Sequence, residues 1–355
     1  MSDTSIKVVG VGLIGTSLGL ALARKDIVAN LSDKSKVNLD LAITYGAGKN
    51  LDEEPELVVV CVPPKYTAQV VIEQLNEHPN ALVTDVASVK SNILAQVIAG
   101  SPDNAARYLG SHPMAGREAS GPIGARADIF FARPWVITPH DVTAQKHIDT
   151  LRHLAMQLDA LPVVMSPVEH DQAVALVSHL PQLVSSALAA RLVDGSKEML
   201  NLSGQGLRDT TRIAASDPQM WLQILSQNDQ KIKPLLGSLI EDLRQLEASF
   251  ENLADQDSLA FVQGLMARGN SGVESIPGKH GGKYFEYEVV TALIDDSPGA
   301  LASLLVFVGE ISVNLEDISL EHSPGAPIGI VEMQVLPEVA TKLAEALTEN
   351  GWRLA

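Results

Sequence analysis

A short run near the start of the chain restricts the fold more than any other segment. From Ile6 to Val9 the sequence is apolar enough for a buried strand. It leads directly into Gly10-x-Gly12-x-x-Gly15 and then into a helical segment rich in Leu and Ala. In this glycine turn the first glycine permits a tight turn, the second lets backbone approach a pyrophosphate, and the third lets helix pack closely on strand. The segment therefore predicts a dinucleotide-binding α/β fold with phosphate at the helix start.

A carboxylate at the end of the second strand indicates which dinucleotide binds. The apolar run over 27–32 ends at Asp33, roughly 20 residues after the glycines, where a carboxylate suits a ribose 2′-hydroxyl and repels a 2′-phosphate. This favours NAD, although Lys34 and Lys36 leave NADP open. The residues that we expect to contact the cofactor are Gly10, Gly12, Leu13, Ile14, Gly15 and Asp33, with Val62 and Pro63 at the end of a third strand.

The pattern of apolar residues changes along the 355-residue chain. Up to about residue 165, strands alternate with amphipathic helices, which predicts a Rossmann-type doubly wound sheet. We expect its strands near 6–11, 27–32, 57–62, 81–85, 107–111, 134–138 and 161–165. The organisation that we infer is an NAD-binding domain over 1–165, a helical substrate and dimerisation domain over 166–267, a linker over 268–284 and a C-terminal domain over 285–355.

The helical segment after Pro167 carries a long apolar stripe, with no strand signal to interrupt it. The stripe consists of Ile232, Leu235, Leu236, Leu239, Ile240, Leu243 and Leu246. A helix this long, beside others rich in Leu and Ala, often buries its stripe against a second subunit. We therefore expect a homodimer through this region, with packing inside one chain as the alternative.

The remaining segments are a glycine-rich linker and a compact C-terminal pattern. The linker carries Lys279, His280 and Lys283, which either fold over an anionic site or belong to a solvated tether. Beyond Phe285 we expect a strand to residue 294, a helix over 300–309, strands near 313–321 and 328–335, a helix from residue 337 and a last strand near residue 352. This βαββαβ order predicts a small ferredoxin-like unit.

Net charge and residue usage exclude several classes of protein. A formal charge of −17 argues against nucleic acid and anionic membranes as partners. We find no signal sequence, and the apolar stretches are interpreted as too short and broken to span a membrane. The single cysteine, Cys61, fits a reducing cytoplasm and is interpreted as a packing residue. No metal site is expected, because His140, His147, His153 and His170 lack a ligand spacing and are interpreted as surface or packing residues.

A histidine and a serine lie where a catalytic pair would be expected. His112 follows a short strand that should end at the carboxyl edge of the sheet, where ligands of doubly wound folds bind. An imidazole there can accept a hydroxyl proton because its ordinary pKa lies near working pH. Ser88, at the end of the preceding strand, could orient that imidazole or share the substrate hydroxyl. Either role is compatible with capping a helix over 89–98.

The helical segment supplies two further polar candidates. His179 precedes Pro181, a helix-disrupting residue, and Arg212 lies in an otherwise apolar stretch. A guanidinium binds a carboxylate through two parallel hydrogen bonds, which a lysine cannot do. Asp209, about one helical turn earlier, could hold that arginine in place.

Together these motifs resemble the prephenate/arogenate dehydrogenase family over roughly residues 6–265. The likeness rests on the glycine turn, Asp-x-x-Ser-x-Lys at 85–90, His-Pro-Met-Ala-Gly-x-Glu at 112–118, Ser-His-Leu-Pro at 178–181 and Arg-Asp-x-Thr-Arg-Ile-Ala at 208–214. In the C-terminal domain, Asp-Ser-Pro-Gly-Ala-Leu-Ala at 296–302 and Val-Asn-Leu-Glu-Asp-Ile at 313–318 resemble the ACT family of amino-acid-sensing modules. That second resemblance implies a regulatory domain.

The resemblance implies a role for each matching residue. His112 would hydrogen-bond the ring hydroxyl, with Ser88 as its partner near the nicotinamide. Arg212 would bind the ring carboxylate, and His179 would lie near the side-chain end of the substrate. The remaining matches are Glu118 as a gating or selectivity acid and Asp209 as the neighbour of the arginine, whereas Arg117 and Gln205 depart from the family pattern and carry no role.

The implied reaction is an NAD-dependent oxidative decarboxylation. Hydride leaves the ring carbon, His112 takes up the hydroxyl proton, and the ring carboxylate departs as carbon dioxide. The sequence leaves open whether the substrate is prephenate or arogenate, which differ by a keto or amino group. It also leaves open whether tyrosine, phenylalanine or another amino acid regulates the chain, and in which direction. A non-catalytic sensor is the alternative from a different class, although Ser88, His112 and Arg212 are all retained.

Overall fold

A parallel four-stranded sheet forms the nucleotide-binding part of the fold. The computed structural model describes residues 5–116, 121–277, 287–322 and 328–355. The sheet has the order β2-β1-β3-β4, and all of its pairings are parallel. Its strands are β1 (Ile6–Val9), β2 (Asn30–Ser32), β3 (Leu57–Val60) and β4 (Leu82–Asp85), alternating with helices α1 (Leu13–Ala23), α2 (Lys36–Thr44), α3 (Pro64–Glu77) and α4 (Ser91–Gly100).

Both faces of this sheet are buried, which explains its uninterrupted apolar strands. Leu57 and Val59 point to one face and pack with α1, whereas Val58 and Val60 point to the other and pack with α3 and α4. All four of these side chains are at most 1% exposed. The strict alternation along β3 follows from the two-residue period of a strand. The carboxyl edge of this sheet is therefore supported by packed side chains on both faces.

The next three strands form a separate sheet, which corrects the expectation of one doubly wound sheet with seven strands. Its strands are β5 (Gly110–Pro113), β6 (Pro134–Thr138) and β7 (Leu161–Val164), with α5 (Gln145–Gln157) between the last two. Strand β5 is antiparallel to β6, whereas β6 and β7 are parallel. A parallel bridge between Val83 and Tyr108 links the two sheets.

The expected strand over 107–111 lies a few residues further along. Residues Pro102–Arg107 form a 3₁₀ turn instead. The Arg107 guanidinium donates hydrogen bonds of 2.6, 2.8 and 3.0 Å to the carbonyl oxygens of Leu75, His78 and Ala81, which holds residue 107 at the end of α3. His112 consequently lies within β5 rather than after a strand.

From Pro167 to Glu274 the regular elements are helices, as the sequence predicts. They are α6 (Pro167–Val174), α7 (Leu180–Arg191), α8 (Lys197–Leu200), α9 (Gln205–Thr211), α10 (Pro218–Leu225), α11 (Asp229–Ser249) and α12 (Gln256–Glu274). The predicted apolar stripe lies on α11, which contains Pro234. Residues 268–274, expected as linker, are helical because none of them is a proline and because Arg268 donates a 2.8 Å bond to Asp242 on α11.

One apolar run is longer than expected from the sequence, where no apolar stretch is interpreted as long enough to span a membrane. Within the described residues, Pro167–Asp194 is long and apolar enough, by length and composition, to cross a membrane, and an 18-residue window within it has a mean hydropathy of 1.5. Polar residues within the run, including His170, Asp171 and His179, are buried. Several of its apolar side chains are exposed instead, among them Leu176, Val177, Leu188 and Val193. The run therefore has an outward apolar face and an inward polar one.

The C-terminal part has the βαββαβ order that the sequence predicts. Its elements are β8 (Glu288–Asp295), α13 (Ala300–Glu310), β9 (Asp317–His322), β10 (Ile328–Val335), α14 (Pro337–Glu349) and β11 (Arg353–Leu354). The sheet order is β11-β8-β10-β9, with antiparallel pairings throughout. Strand β9 begins at Asp317 rather than near residue 313, because Ser312 has a positive φ of 56° and Val313 then bonds back to Val308 at the end of α13.

Packing divides the chain into two compact units. One comprises Met1–Gly195 and Thr210–Ser238, and the other comprises Ser196–Asp209 and Leu239–Ala355. The nucleotide-binding sheet, α6, α7 and α10 all belong to the first unit.

Candidate active site

The glycine turn has the geometry that a bound pyrophosphate requires. Gly10 has a φ of +93°, and a Cβ there would lie 2.8 Å from the carbonyl oxygen of Cys61. A Cβ on Gly15 would overlap the carbonyl oxygen of Gly10, whereas a Cβ on Gly12 would meet nothing within 4 Å. Gly12 begins α1 with no side-chain cap. The first N–H groups of α1 therefore lack a capping side chain, and the space beside Gly12 fits a phosphate.

Asp33 is fixed beside this turn. Its carboxylate accepts hydrogen bonds of 2.7 Å from the backbone N–H groups of Val11 and Ser35. A carboxylate has room for further donors, so it can also accept a ribose hydroxyl. Lys36, a candidate for a 2′-phosphate, is exposed and forms a 2.8 Å ion pair with Asp40 instead. This arrangement fits NAD better than NADP.

The other predicted cofactor residues also lie around the turn. Leu13 and Ile14 are in the first turn of α1 and are partly buried. Val62 lies against Gly10, and Pro63 is the N-cap residue of α3. Cys61 is partly buried behind the same turn, and burial raises the pKa of its thiol, so the protonated packing role expected from the sequence is consistent with the structure.

His112 lies in β5 and is bonded to a second histidine. Its Nδ1 is 2.9 Å from Nε2 of His170, and the two rings meet edge to face with centroids 5.1 Å apart. His170 is in α6 and is 1% exposed. Of the two roles expected for His170, surface or packing, the surface role is wrong, and the buried ring also forms hydrogen bonds that the sequence analysis did not predict. It escaped the sequence analysis because nothing in the local pattern indicates that α6 and β5 meet.

Asp171 completes a chain of three side chains and joins two elements. Its Oδ1 lies 2.8 Å from Nδ1 of His170. The same carboxylate accepts bonds of 2.9 and 2.8 Å from the N–H groups of Lys90 and Ser91, at the start of α4. Although burial opposes its ionisation, these hydrogen bonds hold the pKa of Asp171 below its usual value. Asp171 is therefore an ionised acceptor that caps α4.

His179 lies near this chain and is held by an asparagine. Asn228 Nδ2 donates to the carbonyl oxygen of Asp171 at 2.8 Å and lies 3.2 Å from His179 Nδ1. Because an amide nitrogen only donates, Nδ1 of His179 must accept, and its proton is on Nε2. Burial lowers the pKa of His179 to about 4, so the ring is neutral. We refer to His112, His170, Asp171, His179 and Asn228 together as the histidine cluster.

A local change of helix geometry accompanies His179. Residues Ala175–His179 form a π turn between α6 and α7. Pro181 has no N–H to donate and its ring crowds the preceding turn, which explains why the helix widens here without ending. His179 is 1% exposed and meets Trp221 of α10 edge to face, with ring centroids 6.1 Å apart.

The first histidine is also kept neutral by its surroundings. Burial lowers the pKa of His112 well below its usual value, and the neighbouring His170, Lys90 and His179 lower it further. Burial likewise lowers the pKa of His170, although the bond to Asp171 opposes that shift. His112 is therefore an unprotonated imidazole that can accept a proton at neutral pH.

A buried ion pair supports the strand that carries His112. Lys90 Nζ pairs with Asp85 and donates a 2.6 Å bond to the carbonyl oxygen of Ser111. The other oxygen of Asp85 accepts a 2.7 Å bond from the Tyr108 hydroxyl, and burial raises the pKa of that hydroxyl well above its usual value. The sequence motif at 85–90 thus contributes Asp85 and Lys90 to the support of this strand.

The other predicted residues have different environments. Ser88 is partly buried, and it does not cap a helix, because α4 begins at Ser91 and its N-cap is Lys90. Arg212 is exposed at the start of a 3₁₀ turn that contacts α7. Asp209 accepts a 2.8 Å bond from Gln205. Glu118 and the linker residues Lys279, His280 and Lys283 lie outside the described residues. Among the residues that the structure describes, no group of three His, Cys, Asp or Glu could hold a metal ion.

Comparison with known proteins identifies the family of the chain. The nucleotide-binding domain of prephenate dehydrogenase matches residues 18–166, and the prephenate dehydrogenase dimerization domain matches 166–266. A probable prephenate dehydrogenase from Streptomyces niveus, NovF, is 33% identical over 97% of this chain and 98% of its own. The crystal structure of Synechocystis arogenate dehydrogenase is 27% identical, with a TM-score of 0.63 over 76% of this chain and 100% of that one. Prephenate dehydrogenase from A. aeolicus, crystallised with hydroxyphenyl propionate and NAD+, is 23% identical and has a TM-score of 0.66 over 76% of this chain and 99% of that one.

The fold and the site together define a nucleotide-dependent oxidoreductase with a helical second domain. Within that class the chain belongs to the prephenate dehydrogenase family.

Proposed function

We propose that this chain catalyses the NAD-dependent oxidative decarboxylation of prephenate to 4-hydroxyphenylpyruvate. The observation that carries the proposal is the buried, neutral His112 in β5, held by His170 in the same compact unit as the glycine turn. The name of the Streptomyces niveus relative, which aligns with nearly the whole chain, supports the substrate.

Each side chain of the site has its own role in the proposed reaction. When bound, NAD accepts the hydride from the ring carbon. His112 takes the proton of the ring hydroxyl and returns it to the ring oxygen when carbon dioxide leaves, so that the proton balance closes. His179 presents Nε2–H as a donor to the side-chain end of the substrate. Arg212 binds the ring carboxylate, with Asp209 as its neighbour, Ser88 lies near the nicotinamide, and Glu118 acts as the selectivity acid.

Arogenate is the second candidate substrate. It is supported by the similarity to Synechocystis arogenate dehydrogenase, which extends over 76% of this chain. The test is a single assay of NADH formation with prephenate or arogenate, each with NAD and NADP. Turnover of prephenate with NAD supports the proposal, turnover of arogenate alone replaces the substrate, and no turnover of either overturns the enzyme assignment.

We also propose that the helical segment forms a homodimer. The exposed apolar face of Pro167–Asp194 and the half-exposed Leu243 of α11 support this, as does the match to a dimerization domain over 166–266. In water such a face gains stability when it is covered. Sedimentation equilibrium should give twice the chain mass, and Val177→Glu, at a side chain that is 64% exposed, should shift the protein towards monomer. A monomer in the parent protein would contradict the proposal.

The C-terminal domain is proposed as an ACT-like module that binds an amino acid. A cavity of about 220 Å³ lies beside the loop after β8 and is lined by Ile294, Asp295, Ser297, Trp352 and Arg353, among others. Its polar groups include the 2.7 Å ion pair between Arg353 and Asp295. Charges of both signs suit a zwitterionic amino acid. Adding tyrosine or phenylalanine to the assay should change the rate, and no change with either removes the two first candidates for the effector.

A further inference from the structure

His170 and Asp171 are buried polar residues to which the proposed function assigns no task. His170 is 1% exposed and Asp171 is 2% exposed. No contact described above joins either residue to the glycine turn. Burying such groups costs free energy unless they are fully hydrogen-bonded. Here both ring nitrogens of His170 have partners, one at 2.8 Å and one at 2.9 Å. Such complete pairing indicates a constraint on where the protons lie.

The positions of the hydrogens follow from the partners. The Asp171 carboxylate only accepts, because it is ionised and two backbone N–H groups of α4 stabilise that form. Nδ1 of His170 must therefore carry a hydrogen, and in the neutral ring Nε2 is then a bare acceptor. Nδ1 of His112, which faces that nitrogen, must donate. The lone pair of His112 is therefore on Nε2, the nitrogen that forms no hydrogen bond to His170 or Asp171.

We propose that His170, oriented by Asp171, is a positioning residue that fixes His112 in the tautomer whose Nε2 can accept the substrate hydroxyl proton. The proposal deepens the proposed function and rests on it for the identity of the substrate. It transfers to His170 the orienting task that the sequence analysis gave to Ser88.

The chemistry of the step balances with this arrangement. The substrate O–H bond breaks and an Nε2–H bond forms on His112, and bound NAD would be the acceptor of the hydride. His112 then carries a positive charge, and its Nδ1–H remains bonded to His170. As the ring carboxylate departs, its electron pair makes the ring aromatic, and the proton returns from Nε2 to the ring oxygen. With the other tautomer, Nε2 would carry a hydrogen before the reaction and could not accept another.

Other ionisable groups also face the two rings. Lys90 and His179 disfavour positive charge on His112, whereas Asp171 and Asp85 favour it on His170. The pH dependence of activity therefore reflects the protonation of all these residues together. For this reason the tautomer of His112 is measured first.

The experiment compares His170→Phe with His170→Gln in the full chain. Phenylalanine keeps a buried ring but accepts no hydrogen bond, whereas the glutamine carbonyl can still accept from Nδ1 of His112. In ¹⁵N spectra of histidine-labelled protein, with the His112 signals assigned from their loss in His112→Asn, the parent should show a bare Nε2. His170→Phe should show the two tautomers mixed, and His170→Gln should resemble the parent.

Activity provides the second measurement. We expect kcat to fall about 100-fold in His170→Phe and less than about 10-fold in His170→Gln, because second-sphere orientation of a histidine has effects of this order. KM for NAD should stay unchanged in both. His140→Gln is the matched control: it removes a partly buried histidine that bonds the Tyr108 carbonyl at 3.0 Å and leaves the histidine cluster intact.

The outcomes separate this proposal from the proposed function. An unchanged His112 tautomer in His170→Phe, or equal kcat values for the Phe and Gln variants, overturns the positioning role. If the parent protein turns over neither prephenate nor arogenate, the proposed function fails while the ¹⁵N spectra still decide the tautomer. Should His170→Phe not fold, the parent protein and His170→Gln still test the proposal. A bare Nε2 on His112 in both proteins supports it, and a hydrogen on Nε2 of His112 in the parent overturns it.

Discussion

The glycine turn and the histidine cluster belong to one compact unit and are built in opposite ways. The turn is contiguous in sequence, and its function depends on backbone N–H groups and on the absence of side chains at Gly10, Gly12 and Gly15. The cluster brings side chains from β5, α6, the π turn and the segment before α11 together. A site made from local backbone can be inferred from a motif, whereas a site made from long-range side-chain contacts depends on packing.

The largest expected effect tests whether the cluster acts independently of the turn. His112→Asn should lower kcat about 1000-fold, because general base catalysis contributes an effect of this size. The Kd for NAD, measured by fluorescence titration, should equal that of the parent, since His112 makes no contact with the glycine turn in the bonds described above. Near-normal turnover in this variant would remove His112 from the catalytic role.

The second effect concerns how the free energy of unfolding depends on pH. Burial lowers the pKa of His179 in the folded chain from its ordinary value of 6.5 to about 4, so below pH 6.5 the unfolded chain binds a proton that the folded chain does not. The free energy of unfolding should therefore fall as pH decreases from 6.5 to 4, by about 3 kcal/mol from His179 alone. Asp171 and His170 are the charged or titratable neighbours that affect this shift.

Denaturant unfolding across this pH window measures the effect, and His179→Gln should show a shallower slope than the parent. The exposed His153 provides the control, because His153→Gln should leave the slope unchanged. Equal slopes in the parent and in His179→Gln would show that protonation of His179 does not cause the loss of stability.

Activity should also depend on pH. Because the pKa of His112 lies well below its usual value, turnover should persist below pH 6.5 before it falls.

A third effect separates binding from chemistry. Arg212→Ala should raise KM for prephenate about 10- to 100-fold with a smaller change in kcat, since losing a hydrogen-bonded charge pair has a free-energy cost of about 1.5–3 kcal/mol. Steady-state kinetics with saturating NAD measures both constants. Arg208→Ala, on the neighbouring helix α9, is a suitable control because Arg208 is also exposed. Unchanged substrate affinity in Arg212→Ala would exclude the guanidinium from the site.

The smallest effects compare two glycines of the turn. Gly15→Ala should destabilise the fold by about 1–3 kcal/mol, because its Cβ overlaps the Gly10 carbonyl oxygen. Gly12→Ala has open space and should keep its melting temperature while binding NAD about 10-fold more weakly. In both variants the tautomer of His112 should match the parent. A changed tautomer in Gly12→Ala would show that turn and cluster are coupled after all.

The sequence predicts more of the fold than of the site. The glycine turn, the change from alternating elements to helices at Pro167 and the βαββαβ order at the C-terminus depend on local patterns, and the structure has each of them. The split of the predicted sheet depends on the direction of β5, which no periodicity encodes. His112 and His179 could be found because each lies beside a recognisable motif. His170, Asp171 and Asn228 were missed because a buried polar residue in a helix has no local signature until its partners are known.

The carboxylate of Asp171 has a mechanical consequence. It fastens the first helix beyond the nucleotide-binding part to the start of α4 and, through His170, to β5. An outward swing of α6 would break the two hydrogen bonds that Asp171 accepts from the N–H groups of Lys90 and Ser91, and it would also separate His170 from His112. We therefore expect substrate to enter by a path that leaves α6 in place.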